Sequence, residues 1–309
     1  MYNHLIQPFG PFKKHTIENT HGDSFTIVPE YGTNLIDLKF KGQCVIDGFQ
    51  TPDELTEGAW GKSIILFPYP NRLKDGQYTF NGKIYQFDIN NADTGNSIHG
   101  FSSNVKMDVV KSDFNENSGS IVCEFHHDGS HPAYPFKFTF QVQFTLSDSA
   151  LNVNMAFTNN ESFDIPVGLG WHPYFKISER IEDTSLKMPE THFINIDDRM
   201  LPTGEKTPFH KFDDLKRIDS YSLDNGFFIL NQSKPAEVIL ESEMGRLTYW
   251  QETGEAKWNF LQVFTPPQRK SIALEPMTCN IDAFNNGDGL VLLKPQTTLD
   301  GNFGVRFSH

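Results

Sequence analysis

A strict alternation of apolar and polar side chains constrains this chain more than any other feature. The segment 136–146 places an apolar side chain at every second position, namely Phe136, Phe138, Phe140, Val142, Phe144 and Leu146. After the turn-forming Ser147-Asp148-Ser149, the alternation resumes with Leu151, Val153, Met155 and Phe157. A helix would spread these side chains around its whole circumference, whereas a strand collects them on one face. The pattern therefore predicts a long antiparallel hairpin.

Local patterns predict further strands and one short helix. The dipeptide Asn81-Gly82, between two apolar segments, is typical of a tight hairpin turn because both residues tolerate positive φ. Thr51-Pro52-Asp53-Glu54 has the features of a helix N-terminus and predicts a short helix running towards Trp60. The remaining strand candidates are 24–29, 120–125, 237–240, 246–250, 258–264, 271–274 and 290–293.

The polar segment 179–224 contains Pro189, Pro202 and Pro208 and has weak periodicity. We interpret it as loops and short strands at the rim of the sheets. Strand patterns continue on both sides of it, and no Gly/Ser linker or internal repeat divides the chain. Many strands and few short helices predict an all-β sandwich of large antiparallel sheets. We expect one domain spanning residues 1–309.

Composition limits the partners that the chain is expected to have. The 26 Lys and Arg residues against 39 Asp and Glu residues give a net charge of −13. This charge argues against bulk electrostatic binding to nucleic acid or to an anionic membrane. The N-terminus lacks a signal-peptide pattern, and no apolar stretch approaches the roughly 18 residues of a membrane span. Together with three scattered cysteines, Cys44, Cys123 and Cys279, these features predict a cytoplasmic protein with free thiols.

Four segments place reactive polar side chains among Gly, Pro and aromatic residues at predicted strand ends. They are Pro68-Tyr69-Pro70-Asn71-Arg72, Asn96-Ser97-Ile98-His99-Gly100-Phe101, Gly168-Leu169-Gly170-Trp171-His172-Pro173-Tyr174-Phe175, and Ala273-Leu274-Glu275-Pro276-Met277-Thr278 with the following Asp282-Ala283-Phe284-Asn285. Each side chain also has a structural interpretation, such as a surface ion pair or a buried histidine bonded to a carbonyl. Spacing alone does not show that His172 and Glu275 meet.

One segment is rich in histidine and superficially resembles a metal-binding sequence: His126-His127-Asp128-Gly129-Ser130-His131. Its residues fall at a strand end and a turn, without the fixed-face spacing that converging metal ligands need. We expect no metal site there or elsewhere in the chain. The acidic pairs Asp197-Asp198 and Asp213-Asp214 are typical of solvated loop charges.

Taken together and in this order, the four segments resemble those of the aldose 1-epimerase (galactose mutarotase) family. Asn71-Arg72 with the following hairpin, Ile98-His99-Gly100, His172-Pro173-Tyr174-Phe175, and Glu275-Pro276-Met277-Thr278 with Asp282-Ala283-Phe284-Asn285 carry the likeness. It extends over about 31–306. The chain has Trp171-His172-Pro173 where the best-known galactose mutarotases have Asn-His-Ser, which leaves the identity of the sugar open.

The resemblance implies a β-supersandwich with a sugar-binding cleft on one sheet. It implies that Glu275 is the general base and His172 the general acid, and that Arg72 and His99 donate hydrogen bonds to the sugar. Asn71 belongs to the same motif, and Asp224 corresponds to an acceptor of sugar hydroxyls. The implied reaction is interconversion of the α and β anomers of a free aldohexose by a monomer or homodimer.

The chemistry agrees with these residue types. Ring opening needs a proton removed from the C1 hydroxyl while the ring oxygen gains one, and a carboxylate with an imidazolium supplies both transfers. At neutral pH this requires an ionised Glu275, helped by a nearby Arg, and a protonated His172. No metal, nucleotide or redox cofactor is needed. Aromatic residues such as Trp171, Tyr174 and Phe284 are candidates for the apolar wall of the cleft.

Three other functions stay open from sequence. A non-catalytic carbohydrate-binding or sugar-sensing domain would use the same cleft without exchanging anomers. A hexose-6-phosphate 1-epimerase would need additional basic residues for the phosphate, and only Lys74 lies near Arg72. A lyase or glycoside hydrolase would normally need a second carboxylate beside Glu275, for which Asp224 is the candidate.

Overall fold

The computed structural model describes residues 1–308, whose regular secondary structure is almost entirely β-strand. The strands of the N-terminal half are β1 (Tyr2–Phe9), β2 (Phe12–Asn19), β3 (Ser24–Val28), β4 (Asn34–Phe40), β5 (Gln43–Cys44), β6 (Ile65–Leu66), β7 (Arg72–Lys74), β8 (Gln77–Phe80), β9 (Lys83–Gln86), β10 (Asn96–Ile98), β11 (Asp108–Phe114), β12 (Ser118–His127), β13 (Phe138–Ser147) and β14 (Ala150–Asn159).

The C-terminal half continues the same pattern of short and medium strands. These are β15 (Ile165–Val167), β16 (Gly170–Trp171), β17 (Tyr174–Phe175), β18 (Ser185–Lys187), β19 (Thr191–Ile196), β20 (Pro202–Phe209), β21 (Lys216–Arg217), β22 (Asp224–Ile229), β23 (Ala236–Ser242), β24 (Gly245–Gln251), β25 (Phe260–Phe264), β26 (Ile272–Met277), β27 (Val291–Leu293) and β28 (Thr298–Ser308). The helices are α1 (Pro52–Glu57), α2 (Ala283–Asn286) and two 3₁₀ turns, Ala59–Gly61 and Ile181–Asp183.

Two large antiparallel sheets dominate the fold. The nine-stranded sheet has the order β11-β12-β13-β14-β28-β24-β23-β18-β21. The eight-stranded sheet has the order β20-β19-β22-β25-β26-β16-β6, with β17 also pairing with β26. A five-stranded meander, β1 to β5, precedes them. The predicted all-β supersandwich with few short helices is confirmed.

The two hairpins read from sequence are present. Strands β13 and β14 pair in register through Leu146 and Leu151, and the apolar side chains of the alternation are buried. Asn81 (φ 49°) and Gly82 (φ 74°) form the two-residue turn that joins β8 to β9. A turn with positive φ at both residues matches the right-handed twist of the two flanking strands, as the dipeptide predicts.

Aromatic side chains join the two large sheets face to face. Trp171 stacks on Phe303 with ring centroids 5.3 Å apart, and Phe175 lies 6.2 Å from Tyr249. Leu274, like Trp171, belongs to this core. Because successive residues of a strand point to opposite faces, the next residues, His172 and Glu275, lie on the outer face of the eight-stranded sheet. That face carries the candidate site.

The prediction for 179–224 was partly wrong. The segment contains β19 and β20, which form one end of the eight-stranded sheet rather than rim loops. Pro202 and Pro208 lie within β20, which pairs only with β19. An edge strand tolerates proline because one row of its N–H groups has no partner strand. The two prolines are therefore compatible with β20 as an edge strand, although from sequence they indicated loops.

The predicted short helix is present and ends earlier than expected. The Thr51 hydroxyl accepts a hydrogen bond from the Glu54 amide at 3.2 Å, and Pro52 occupies the first turn. The α-helix stops at Glu57, after which Gly58 adopts φ 64°. Trp60 then lies in a 3₁₀ turn. Within residues 1–308, no helix is long and apolar enough to cross a membrane.

Candidate active site

A cleft of about 440 Å³ on the outer face of the eight-stranded sheet contains all six site residues predicted from sequence. They are Asn71, Arg72, His99, His172, Asp224 and Glu275. The strand order explains part of this convergence, because β22, β25, β26 and β16 are consecutive neighbours in one sheet and bring Asp224, Glu275 and His172 together. Asn71, Arg72 and His99 lie in or directly beside the separate pair of strands β7 and β10.

Strand register places the carboxylates on one face. Glu275 in β26 pairs directly with Gln262 in β25, and Asp224 in β22 pairs with Phe264 in β25. Residues directly opposite each other in an antiparallel pair project to the same face, as do residues two apart in one strand. Asp224, Gln262 and Glu275 therefore all face the cleft.

Glu275 and His172 form a buried contact at the floor of the cleft. His172 Nε2 lies 3.2 Å from Glu275 Oε1, and the two residues are only 7% and 1% exposed. Burial raises the pKa of Glu275 well above its usual range, the neighbouring Asp224 raises it further, and Arg72 acts in the opposite direction. Burial also lowers the pKa of His172 to about 4. Both shifts oppose the expected Glu⁻ and HisH⁺ forms. Desolvation outweighs the charge of Arg72 at Glu275, and it is the main cause of the lowered pKa at His172.

Backbone and ring contacts on several sides hold the His172 imidazole. The His172 amide donates to the Ile64 carbonyl at 3.0 Å, and the Ser63 amide donates to the His172 carbonyl at 2.8 Å. The ring stacks on Tyr174 at 5.0 Å and 16°. The Tyr174 hydroxyl in turn donates to the Trp60 carbonyl at 2.9 Å. This packing restricts which way the imidazole points.

His99 lies edge-on to His172, with ring centroids 5.3 Å apart. His99 Nδ1 accepts a hydrogen bond from the Asn71 amide at 3.3 Å, which assigns the proton of the neutral ring to Nε2. Burial lowers the pKa of His99, and the nearby His172 and Arg72 lower it further. The neutral ring therefore presents an N–H donor. The following Gly100 (φ 66°) approaches Phe67 so closely that a Cβ would lie 2.1 Å from its carbonyl oxygen.

Arg72 is held by its neighbours rather than by an ion pair. Its Nη1 donates to Asn71 Oδ1 at 3.1 Å, while Nε has no partner although it is buried. The segment around Asp282 fixes its strand: the Asp282 amide donates to the Arg72 carbonyl at 2.8 Å, and Asp282 Oδ1 accepts from the Lys74 amide at 2.9 Å. The Asp282-Ala283-Phe284-Asn285 motif thus positions Arg72.

Gln262 is a cleft residue that the sequence analysis missed. Its Nε2 donates to Asp224 Oδ1 at 2.9 Å, and its Oε1 accepts from Asn71 Nδ2 at 3.4 Å. Asp224 faces the cleft. Desolvation by the surrounding protein raises its pKa, whereas the positive charge of Arg72 acts to lower it. The sequence signal for this residue was a single Gln in an otherwise apolar strand, among Phe260, Leu261, Val263 and Phe264. A buried polar side chain in such a strand needs hydrogen-bond partners.

The mouth of the cleft is apolar and aromatic. Trp60, Phe264 and Pro267 line it together with the buried Tyr174. Tyr174 was among the predicted wall residues, but the same prediction was wrong for Trp171 and Phe284. Trp171 packs in the core between the sheets, and Phe284 packs against Tyr78 at 4.9 Å.

The histidines of 126–131 diverge. His126 pairs with Glu124 at 2.7 Å, and His127 Nε2 contacts the Tyr134 carbonyl at 3.2 Å. His131 stacks on Phe101 at 4.4 Å. Across residues 1–308, no group of three or more His, Cys, Asp or Glu side chains is arranged to hold a metal ion.

A family model described as Aldose 1-epimerase matches residues 13–306. The chain therefore belongs to the aldose 1-epimerase family.

Individual proteins are similar to all or part of this chain. The uncharacterized protein YihR of Escherichia coli K12 is 26% identical over 305 residues, covering 94% of each chain. Galactose mutarotase of Sus scrofa is 30% identical over 142 residues, covering 45% of this chain and 40% of its own.

Solved structures share the fold. A galactose mutarotase-like protein from Clostridium acetobutylicum aligns with a TM-score of 0.88 at 22% identity, covering 100% of this chain and 99% of its own. Galactose 1-epimerase from Lactobacillus acidophilus NCFM aligns with a TM-score of 0.83 at 18% identity, covering 100% and 98%.

Proposed function

We propose that this protein is an aldose 1-epimerase that interconverts the α and β anomers of an unphosphorylated aldohexose. The observation that carries the proposal is the buried contact between His172 and Glu275 beside three unpartnered polar atoms. These are Glu275 Oε2, His172 Nδ1 and Arg72 Nε. Buried polar atoms normally have hydrogen-bond partners, and a hydroxyl-rich ring in the cleft is a chemically suitable source of them.

In the proposed reaction, Glu275 accepts the proton of the C1 hydroxyl while His172 donates a proton to the ring oxygen. The bond between C1 and the ring oxygen breaks as the C1 carbonyl forms. Rotation about the C1–C2 bond then presents the other face of the carbonyl, and the reverse transfers close the ring as the other anomer. Protons and electron pairs balance within the pair and the sugar, so the enzyme returns to its starting state.

The pKa directions favour the neutral pair, and one proton transfer converts it into the charged pair that the reaction needs. The neutral pair, Glu275 carboxyl with His172 imidazole, and the charged pair, carboxylate with imidazolium, contain the same number of protons. They differ by transfer of one proton across the 3.2 Å contact. Low exposure keeps water from competing for that proton. Arg72, which lowers the pKa of Glu275, favours the carboxylate form.

The other cleft residues are assigned to sugar hydroxyls. Arg72 and the Nε2–H of His99 are donors, Asn71 supports both residues, and Asp224 is an acceptor oriented by Gln262. Among the described residues that line the cleft, Arg72 is the sole Arg or Lys. A sugar phosphate normally requires several such cations, so the lining favours a neutral sugar. The names of the galactose mutarotase relatives support the same substrate class.

Polarimetry of freshly dissolved α-D-glucose and α-D-galactose tests the proposal. Wild-type protein should bring the anomers to equilibrium faster than buffer alone. Glu275→Gln should abolish this acceleration, and a thermal unfolding measurement should show that the variant is still folded. Saturable sugar binding without acceleration would instead indicate a carbohydrate-binding domain. Release of monosaccharide from an oligosaccharide would indicate a hydrolase. Either result would refute the epimerase assignment.

A further inference from the structure

The backbone of His172 is held by the segment 58–64, which connects α1 to β6. The Ser63 amide donates to the His172 carbonyl at 2.8 Å, and the His172 amide donates to the Ile64 carbonyl at 3.0 Å. Both backbone groups of the proposed acid are therefore bonded to this one segment. A movement of the segment would move His172 with it.

The 58–64 segment has an irregular backbone. Four of its residues have positive φ, namely Gly58 (64°), Trp60 (63°), Gly61 (59°) and Ser63 (55°). Residues other than glycine rarely adopt this left-handed region, and they persist in it where surrounding contacts determine the conformation. The shape of the segment therefore depends on contacts from outside it.

Asp47 provides such a contact and joins three parts of the chain. Its Oδ1 lies 2.8 Å from Lys62 Nζ, in the middle of the 58–64 segment. Its Oδ2 accepts a hydrogen bond from the Ser271 hydroxyl at 2.8 Å, directly before the strand that carries Glu275. The Asp47 amide donates to the Tyr174 carbonyl at 2.8 Å, just after His172.

The backbone at Asp47 is itself firmly placed. The preceding Ile46 forms a β-bridge with Phe175. A Cβ at the following Gly48 would lie 1.9 Å from the Ile36 carbonyl oxygen, so the chain packs directly on β4 here. The Asp47 side chain is 28% exposed and does not line the cleft. It can therefore act on the reaction only through the residues that it holds.

We propose that Asp47 is a positioning residue that fixes the separation of His172 and Glu275, by tying the 58–64 segment to the parts of the chain that carry them. This inference rests on the proposed function. A misplacement of reacting groups by about 1 Å can lower a rate by roughly 10²-fold. A half-buried carboxylate outside the cleft thus controls kcat.

Substitution of Asp47 tests the proposal by polarimetry over several sugar concentrations. Asp47→Ala removes both ties and should lower kcat by about 10- to 100-fold. KM should change little, because the groups that bind the sugar hydroxyls remain. Asp47→Asn keeps an oxygen for Lys62 and offers an N–H to the Ser271 hydroxyl, which can accept it. It should therefore restore most of the lost kcat.

Glu252→Ala is the matched control. The Glu252 side chain is 33% exposed, its Oε2 lies 3.9 Å from Lys257 Nζ, and its two oxygens accept hydrogen bonds from the backbone and side-chain amides of Asn302, each at 3.0 Å. It lies outside the cleft. The variant should lose thermal stability and keep its kcat. An Asp47→Ala protein that behaves in the same way would overturn the positioning role.

Two further measurements keep the test decisive. Lys62→Met cuts the tie from the other side and should lower kcat as Asp47→Ala does, which provides the test if Asp47→Ala does not fold. The NMR resonances of the His172 imidazole report its surroundings without catalysis. Asp47→Ala and Lys62→Met should shift them, whereas Glu252→Ala should not.

The outcomes separate this inference from the proposed function. Wild-type mutarotation with unchanged kcat in Asp47→Ala and Lys62→Met would overturn the positioning role alone. Shifted His172 resonances in both variants, without any wild-type mutarotation, would support the tie to His172 and refute the epimerase. Absence of both mutarotation and resonance shifts would overturn both.

Discussion

The contact between His172 and Glu275 makes a quantitative prediction for a double-mutant cycle. In the proposed reaction each group serves one proton transfer, so His172→Gln or Glu275→Gln should each lower kcat by roughly 10²- to 10⁴-fold. This corresponds to about 3–5 kcal/mol of activation free energy. The two side chains are buried and 3.2 Å apart. Because the proposed mechanism has them share one proton, losing either should disable both transfers. The double variant should therefore lie within about tenfold of the slower single variant.

Polarimetry over several sugar concentrations would separate kcat from KM for the four proteins. A matched control cycle is available at the exposed His126 and the half-buried Glu124, where His126 Nε2 and Glu124 Oε1 are 2.7 Å apart. His126→Gln and Glu124→Gln should leave kcat unchanged, because the pair lies outside the cleft. If the losses at His172 and Glu275 instead multiply to roughly 10⁴- to 10⁸-fold, the two residues act independently and the shared-proton account is wrong.

Three further predictions concern pH and the support of the cleft. The reactive pair holds one proton, and burial lowers the pKa of His172 from 6.5 to about 4, so a second proton should enter the pair only near pH 4. As a result, kcat/KM should stay level as pH falls through 6.5 and decline near pH 4; an inflection at 6.5 would contradict the assigned environment. The raised pKa of Glu275 means that stability present at low pH is lost as pH rises through that value. Glu275→Gln should therefore gain thermal stability relative to wild type as pH increases from 5 to 8, and a gap that shrinks with pH would argue against a desolvated carboxyl. Asp282→Ala removes the hydrogen bond from the Lys74 amide that fixes the strand of Arg72, and should cost about 2 kcal/mol of unfolding free energy while raising KM. Denaturant titration and sugar kinetics check this, and an unchanged KM would show that Asp282 does not position Arg72.

Local patterns made much of the β-structure predictable. The hairpins at 136–157 and around Asn81-Gly82 depend on alternation and turn chemistry within about twenty residues, so sequence contains the necessary information. The edge strand β20 could not be recognised in the same way. Its prolines are unfavourable in a central strand, and only the final strand order shows that β20 lies at an edge.

Motifs identified six residues that line one cleft, whereas the geometry that brings them together was not predictable. Asp224, Gln262 and Glu275 meet through strand register, a long-range property that spacing along the chain does not determine. The opposing pKa shifts of Glu275 and His172 arise from burial by residues scattered over the whole sheet. From sequence, Trp60 could be named only as the residue towards which a predicted helix runs. Its position at the mouth of the cleft depends on a left-handed backbone conformation that the sequence pattern did not indicate.

The measurement that tests the central claim most directly is exchange NMR on an equilibrium mixture of glucose anomers. Catalytic amounts of wild-type protein should produce exchange between the α and β C1 protons well above the buffer rate. Glu275→Gln, folded to the same extent, should return exchange to the buffer rate. Failure of the folded wild-type protein to accelerate exchange, despite measurable sugar binding, would contradict the assignment of His172 and Glu275 as an acid–base pair.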